Sequence, residues 1–281
     1  MHWKKLFEGS MITQASAIEF QGRAESGRSH PMLCRCEAAD GSEFDAYVKY
    51  RHFHNDLLFD HLVCETIGSL LASDLGLPVA RPCLVTVSAE FLSTIPNNED
   101  NAEILEAFGD RTSIAFGSVA FEPFRRWTSD NIVHRNQRRQ ATYLYLFDTL
   151  TENSDRGIGN PNLLIQGHNF RVIDQGHCFQ RCVDTDSWDG VRKPWERGGI
   201  NNHIPGTLQH VLYENIHPAE PEHITDFTMA YEAITDGVIE GYLDTVPIEW
   251  GQDTACRIID YLLEARSDVQ SFEVMSREVL L

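Results

Sequence analysis

Two aspartates and an asparagine in the middle of the chain have the types and spacing for chemistry on a phosphate group. Asp155 is followed five residues later by Asn160, and an apolar run then leads to Asp174, with Gly176 two positions on. In phosphoryl transfer of the kinase type, one carboxylate accepts the proton of the attacking hydroxyl. An amide oxygen and a second carboxylate hold Mg²⁺ against the nucleotide phosphates. Asp and Asn supply the hard oxygen ligands that Mg²⁺ prefers. The stretch therefore indicates a candidate phosphoryl-transfer site.

The spacing from Asp155 to Asn160 is a weak signal alone, because Asp and Asn are common in loops, where their side chains bond nearby backbone groups. The residues that follow strengthen it. Residues 163–165 and 170–173 are typical of two short strands, and the Gly-His-Asn sequence at 167–169 favours a hairpin turn between them. Both aspartates would then flank one hairpin and lie close enough to share a metal ion.

Composition and charge restrict the class of protein. The 281 residues suffice for one large domain or two lobes, and 42% hydrophobic content is typical of a folded globular protein. No apolar run approaches the roughly 18 residues of a membrane-spanning helix, and the N-terminus has no apolar segment typical of a signal peptide. The formal charge of −19 disfavours binding to nucleic acid or anionic membrane. Seven cysteines without the spacing of a disulfide framework indicate reduced thiols, and hence a cytoplasmic protein.

The predicted elements separate into a β-rich part and a helical part. Strands are predicted within residues 11–50 and at 82–88, with one helix at 55–75. A helix at 135–150 leads into the Asp155 segment, and three helical segments follow residue 206.

Segregated blocks of this kind predict an α+β fold in two lobes, with a ligand cleft between them. The expected fold is therefore α+β in two lobes. It has a small β-rich N-terminal lobe and a mostly helical C-terminal lobe. The predicted boundaries are residues 1–117 for the N-terminal lobe, 118–124 for a hinge and 125–281 for the C-terminal lobe.

Lys49 and Glu65 are candidates to support a nucleotide. Lys49 lies on a predicted strand, on the face opposite to Ala46 and Val48, and Glu65 lies in the middle of the predicted helix. In a kinase-type site, a strand lysine contacts the α- and β-phosphates and pairs with a helix carboxylate. The alternative is a surface lysine and a solvated glutamate.

The polar loop at residues 21–31 is a candidate phosphate loop. It contains Ser26, Gly27 and Ser29. Glycine lets backbone N–H groups approach phosphate oxygens, and hydroxyl groups add donors. The loop matches neither the G-x-G-x-x-G nor the Walker pattern, so an ordinary hairpin loop is the alternative.

These residues together resemble the HipA-like kinases, a bacterial branch of the protein-kinase-like fold. The resemblance runs from about residue 15 to residue 180. The catalytic loop is its most specific part and the phosphate loop its least specific part. The segments that carry it are Ser26-Gly27-x-x-x-Pro31, Tyr47-Val48-Lys49-Tyr50, Glu65 with Gly76-Leu77-Pro78-Val79, Phe116-Gly117-Ser118, Phe147-Asp148-x-x-x-x-Asn153-x-Asp155-Arg156-x-x-x-Asn160-Pro161-Asn162-Leu163-Leu164, and Ile173-Asp174-x-Gly176.

The resemblance implies ATP- and Mg²⁺-dependent transfer of the γ-phosphate to a serine or threonine hydroxyl of a protein. By position, the implied catalytic residues are Asp155 as the base, Lys49 as the phosphate lysine and Glu65 as its partner. The implied metal ligands are Asn160 and Asp174. The implied nucleotide-binding residues are Ser26, Gly27, Ser29, Lys49 and Glu122. Autophosphorylation of Ser26 or Ser29 is a further possibility that some relatives suggest.

Other functions remain open at the level of sequence. The fold does not fix the substrate, so a small-molecule kinase is one alternative. A nucleotide-binding pseudokinase or interaction module is another, because no His-Arg pair precedes Asp155 and the glycine-containing loop departs from the usual pattern. Gly157 and Gln175 also replace residues usual in the family. Metal-dependent hydrolysis is a more distant alternative.

Cys178 and Cys182, near His168 and His177, match no zinc spacing and are best interpreted as ordinary thiols.

Overall fold

The computed structural model describes residues 12–24, 30–51, 58–109, 111–121, 125–128, 130–200 and 210–281. Ser26, Gly27, Ser29 and Glu122 of the predicted nucleotide site lie outside these ranges. Contacts divide the chain into two compact units. The first comprises Met1–Leu58 with Arg81–Ala120, and the second comprises Phe59–Ala80 with Phe121–Leu281.

Strands and helices alternate early in the chain, and helices dominate its second half. The strands of the described residues are β1 (Thr13–Arg23), β2 (Met32–Ala38), β3 (Glu43–Lys49), β4 (Pro82–Val87), β5 (Ser113–Val119), β6 (Arg125–Arg126), β7 (Leu163–Gln166) and β8 (Asn169–Val172). Their α-helices are α1 (Phe59–Asp74), α2 (Ala89–Leu92), α3 (Ala102–Phe108), α4 (Arg138–Leu150), α5 (Gln180–Val183), α6 (Tyr213–Ile216), α7 (Pro221–Glu232), α8 (Asp236–Gly241), α9 (Asp253–Ser267) and α10 (Val269–Leu280). None of these helices is long and apolar enough to cross a membrane.

The first unit is built on a small closed barrel. Its strand order is β1-β2-β3-β5-β4, and the barrel closes where β1 pairs with β4 in parallel. The predicted period of two along β3 is confirmed, because Ala46 and Val48 are fully buried while Tyr47 is 40% exposed. Cys34 and Cys36 are also buried, on the inner face of β2. Small apolar side chains fill this narrow interior, since a five-stranded barrel leaves little room.

The second unit contains α1, which the sequence placed in the N-terminal lobe. Contacts group α1 with the later helices, and both of its ends are tethered to them. Near its start, the Asp60 carboxylate accepts a hydrogen bond from the Thr254 hydroxyl, and at its end Asp74 accepts one from Tyr242, at 2.6 Å. Burial from Leu62 through Ala72 encloses the helix on all sides, as expected for a helix within a core rather than on a surface.

The hairpin predicted after Asn160 is confirmed. β7 and β8 pair in antiparallel register from Leu163 opposite Val172 to Gln166 opposite Asn169. Gly167 in the turn has φ 59°, a left-handed conformation that glycine adopts without steric cost. This hairpin carries the chain from the Asp155 loop directly to Asp174.

A substitution in the barrel tests how tightly it is packed. A Cβ at Gly117, on β5, would lie 2.6 Å from the Cys83 Sγ and 2.7 Å from the Val85 Cγ2. We expect Gly117→Ala to lower the free energy of unfolding in urea by about 1–3 kcal/mol, because overpacking forces neighbours to shift. The control is Gly237→Ala in α8, where a Cβ meets nothing within 4 Å, and there we expect a gain of up to about 1 kcal/mol. Wild-type stability in Gly117→Ala would contradict the described packing.

Candidate active site

Asp155 lies in the loop between α4 and β7, and its carboxylate is held by two amides. The Nδ2 groups of Asn160 and Asn162 donate to Asp155 Oδ2 at 2.8 and 3.0 Å. The Asp155 backbone N–H donates to Asn153 Oδ1 at 3.1 Å. Among the described residues, both hydrogen bonds that the carboxylate accepts end on Oδ2. The other oxygen, Oδ1, is therefore available as an acceptor.

Asp174 follows β8 in a left-handed conformation, with φ 62°. Non-glycine residues seldom adopt this conformation, although Asp and Asn tolerate it best. Asn162 has the same feature at φ 44°. Backbone strain of this kind often lies at functional sites, where the surrounding structure fixes it.

Glu65 on α1 anchors the segment after Asp174. Its side chain is buried, and Oε1 accepts a hydrogen bond from the Gln175 backbone N–H at 3.0 Å. A Cβ at Gly176 would lie 3.2 Å from Glu65 Oε2 and 3.6 Å from Asp174 Oδ1. The two carboxylates thus approach the same glycine, and a Cβ there would be crowded by Glu65.

A buried arginine joins the two loops. Arg156 is 1% exposed, and its Nε donates to Asp148 Oδ2 at 2.6 Å. Its Nη1 donates to the backbone oxygens of Asn162 and Ile173 at 2.6 and 3.2 Å, and its Nη2 donates to Gln175 Oε1 at 2.8 Å. One guanidinium therefore ties α4, the Asp155 loop and the Asp174 segment together.

Asp148, in the last turns of α4, is the centre of the same network. Asn153 Nδ2 donates to its Oδ1 at 2.9 Å, and His210 Nε2 lies 3.0 Å from its Oδ2. His210 Nδ1 accepts a hydrogen bond from the Leu212 backbone N–H, so the proton of the neutral ring belongs on Nε2, which donates to Asp148. The Val211 backbone N–H also donates to the Arg156 oxygen at 3.1 Å.

Sequence reasoning did not find the roles of Asp148, Arg156 and His210. One signal was present, because Asp148 is surrounded by Leu146, Phe147 and Leu150 on an otherwise apolar helix. A carboxylate in such a run is rarely buried unless it is paired.

The structure places the predicted residues as follows. Asn160 contacts Asp155 directly. Arg156 links this loop to the Asp174 segment by donating to the backbone oxygens of Asn162 and Ile173. Glu65 is bonded to the same segment through Gln175. These residues belong to the second unit, whereas Lys49 is half-buried at the end of β3 in the first.

His177 extends the site beyond the predicted set. Its Nε2 lies 4.0 Å from Asp155 Oδ2, and its ring packs edge-on against His61 with centroids 5.5 Å apart. The stretch just after Asp174 therefore lies beside Asp155.

The thiols near this segment, Cys178 and Cys182, are buried. Burial raises the pKa of the Cys182 thiol to about 12 and raises the pKa of Cys178 further, so both stay protonated at neutral pH. Within the described ranges, no group of three or more His, Cys, Asp or Glu side chains is arranged to hold a metal ion.

A site of one carboxylate and one amide still fits Mg²⁺. Such a site takes its remaining ligands from nucleotide phosphates and water. Asn160 donates through Nδ2 to Asp155, so its Oδ1 and the Asp174 carboxylate are the oxygen donors that would hold the ion.

Comparison with known proteins identifies the family. Residues 17–190 match the family model described as HipA-like kinase, which spans every predicted site residue, and the chain belongs to this family. No curated protein matches the chain.

The chain is also similar to solved structures of kinases. The crystal structure of the Helicobacter pylori proinflammatory kinase CtkA is 14% identical, covers 89% of this chain and 95% of that chain, and has a TM-score of 0.50. Golgi casein kinase is 12% identical, covers 97% of this chain and 76% of that chain, and has a TM-score of 0.42. Its structure with Mn/ADP bound is 11% identical, with coverages of 94% and 74% and a TM-score of 0.41. The likeness to CtkA supports a kinase-like α+β fold.

The buried ion pair gives a stability prediction. Asp148→Ala leaves the Arg156 guanidinium buried without its carboxylate, and we expect a loss of about 3–5 kcal/mol in the free energy of unfolding. The control is Asp226→Ala, which breaks an exposed ion pair with Arg139. The Arg139 side chain is 56% exposed and the Asp226 side chain is 47% exposed. There we expect a loss of less than about 1 kcal/mol in urea unfolding. Equal losses in the two variants would contradict the central role of Asp148.

Proposed function

We propose that this chain is an ATP- and Mg²⁺-dependent kinase that transfers the γ-phosphate to a serine or threonine hydroxyl of a protein. The observation that carries the proposal is the Asp155 carboxylate, with Oδ2 fixed by two amides and Oδ1 left to accept a proton. Membership of the HipA-like kinase family and the kinase-like fold support it.

In this proposal, Asp155 orients the acceptor hydroxyl and takes its proton on Oδ1. The hydroxyl oxygen forms a bond to the γ-phosphorus as the bond from that phosphorus to the β-phosphate oxygen breaks, and ADP leaves. Positioning and electrostatic stabilisation together supply nearly all of the rate acceleration in such reactions. The fixed carboxylate of Asp155 is suited to that task.

Asn160 Oδ1 and the Asp174 carboxylate hold Mg²⁺ in this proposal. The ion would neutralise charge on the phosphates during transfer. Glu65 keeps the Asp174 segment in place through its bond to the Gln175 N–H. The resemblance to the family implies that Lys49 would contact the α- and β-phosphates with Glu65 as its partner. It also implies that Ser26, Gly27, Ser29 and Glu122 would contact the nucleotide.

Loss of the base tests the proposal. With labelled ATP and Mg²⁺, we expect Asp155→Ala to reduce phosphate transfer roughly a thousandfold, because it removes several kcal/mol of transition-state stabilisation. Asp226→Ala, which removes an exposed carboxylate, should retain wild-type transfer. Equal labelling by wild type and Asp155→Ala would refute the proposed role.

The same assay separates the alternatives. ATP consumption with a metabolite panel, but without labelled protein, would indicate a small-molecule kinase. A thermal shift with ATP and Mg²⁺ but no turnover on any substrate would indicate a pseudokinase.

The metal ligand is tested by a second substitution. Asp174→Asn keeps the shape of the side chain and tolerates φ 62°, so it adds little backbone strain. It removes a charged ligand, and we expect the Mg²⁺ concentration for half-maximal activity to rise by about 10–100-fold, the range seen even for partners of metal ligands. The control, Asp226→Asn, should leave the Mg²⁺ dependence unchanged. An unchanged dependence in Asp174→Asn would exclude Asp174 as a ligand.

A further inference from the structure

Asn162 makes a contact with Asp155 that the proposed ligand roles leave unexplained. Its Nδ2 donates to Asp155 Oδ2 at 3.0 Å, beside the 2.8 Å bond from Asn160 to the same oxygen. One amide donor would be enough to orient Asp155 Oδ2, so a second donor suggests that one of the two asparagines also has another role. In the proposed function, Asn160 is the one with another task, because its amide oxygen binds Mg²⁺.

The two asparagines differ in how firmly they are held. Asn160 is exposed, whereas Asn162 is half-buried. The Asn162 backbone oxygen accepts hydrogen bonds from Arg156 Nη1 at 2.6 Å and from the Ile173 N–H at 3.2 Å. Its backbone is therefore fixed by the buried guanidinium on one side and by the Asp174 segment on the other.

The local sequence fixes the same geometry. Pro161 has a locked φ and disfavours helical backbone at the preceding Asn160. Asn162 then takes φ 44°, a left-handed conformation that asparagine tolerates better than most residues. In this conformation the Asn162 side chain reaches Asp155 Oδ2.

We propose that Asn162 is a positioning residue, which holds Asp155 Oδ2 while Asn160 serves the metal, and so presents Oδ1 to the acceptor hydroxyl. This inference rests on the proposed function. Asn162 acts through Asp155 and contacts neither substrate nor metal. Its removal should affect the rate of transfer rather than the binding of metal or nucleotide, because small misplacements of a catalytic group slow a reaction strongly.

Two variants of Asn162 separate this role from a packing role. Asn162→Gly keeps the left-handed conformation and loses the amide. Asn162→Asp keeps the shape and loses the donor, and it adds a carboxylate next to Asp155. We expect both to lower kcat by about 10–100-fold, with the KM for ATP and the half-maximal Mg²⁺ concentration unchanged. Asn160→Ala serves as the matched comparison and should raise the Mg²⁺ requirement. Thermal unfolding of each variant checks that it is folded.

Each result decides a different point. Wild-type kcat in Asn162→Asp would overturn the positioning role, because shape alone would then suffice. A raised Mg²⁺ requirement in Asn162→Gly would also overturn it, since Asn162 would then act on the metal. Both results require an active wild type, whereas a wild type that transfers no phosphate would overturn this inference together with the proposed function.

Discussion

The buried ion pair between Arg156 and Asp148 is the interaction on which the site depends. Their side chains are 0% and 1% exposed, and removing two charges from water costs several kcal/mol for each ion. Such a pair persists only where the remaining hydrogen-bonding groups also find partners. Here Nε, Nη1 and Nη2 of Arg156 all donate, and both oxygens of Asp148 accept. The planar guanidinium therefore leaves the surrounding backbone little freedom.

This ion pair fixes the positions of the proposed reactive residues because its hydrogen-bond partners lie next to them in the sequence. Asp155 directly precedes Arg156 in the chain. The backbone oxygens of Asn162 and Ile173 accept hydrogen bonds from the same guanidinium. The Gln175 side chain accepts a hydrogen bond from the guanidinium. The Gln175 backbone N–H donates to Glu65, which connects α1 to the network. The proposed base, the proposed metal ligands and the helix carboxylate are thus positioned by one set of hydrogen bonds.

The local features of this arrangement could be predicted from sequence. The period of two in β3 and the Gly-containing turn of the β7–β8 hairpin were both confirmed, because each depends on residues close together in the chain.

The ion-pair network could not be predicted in the same way. His210 reaches Asp148 across 62 residues, and Glu65 reaches Gln175 across 110, so no local pattern reveals either contact. The grouping of α1 with the second unit has the same cause, since its tethers Thr254 and Tyr242 are distant in sequence. Three helical segments were predicted after residue 206, whereas the described residues there form five α-helices, α6 to α10.

In the proposed site, Asn160 and Asp174 hold a metal ion beside Asp155, which Asn162 keeps in position. A crystal structure of the protein with Mn²⁺ and a non-hydrolysable ATP analogue tests it most directly, because the anomalous signal of Mn²⁺ locates the ion independently of the refined coordinates. We expect Mn²⁺ to be bound by Asn160 Oδ1 and the Asp174 carboxylate, with Asp155 Oδ2 still bonded to Asn162 and Asp155 Oδ1 clear of the ion. Mn²⁺ bound through Asp155, or bound away from both Asn160 and Asp174, would contradict it.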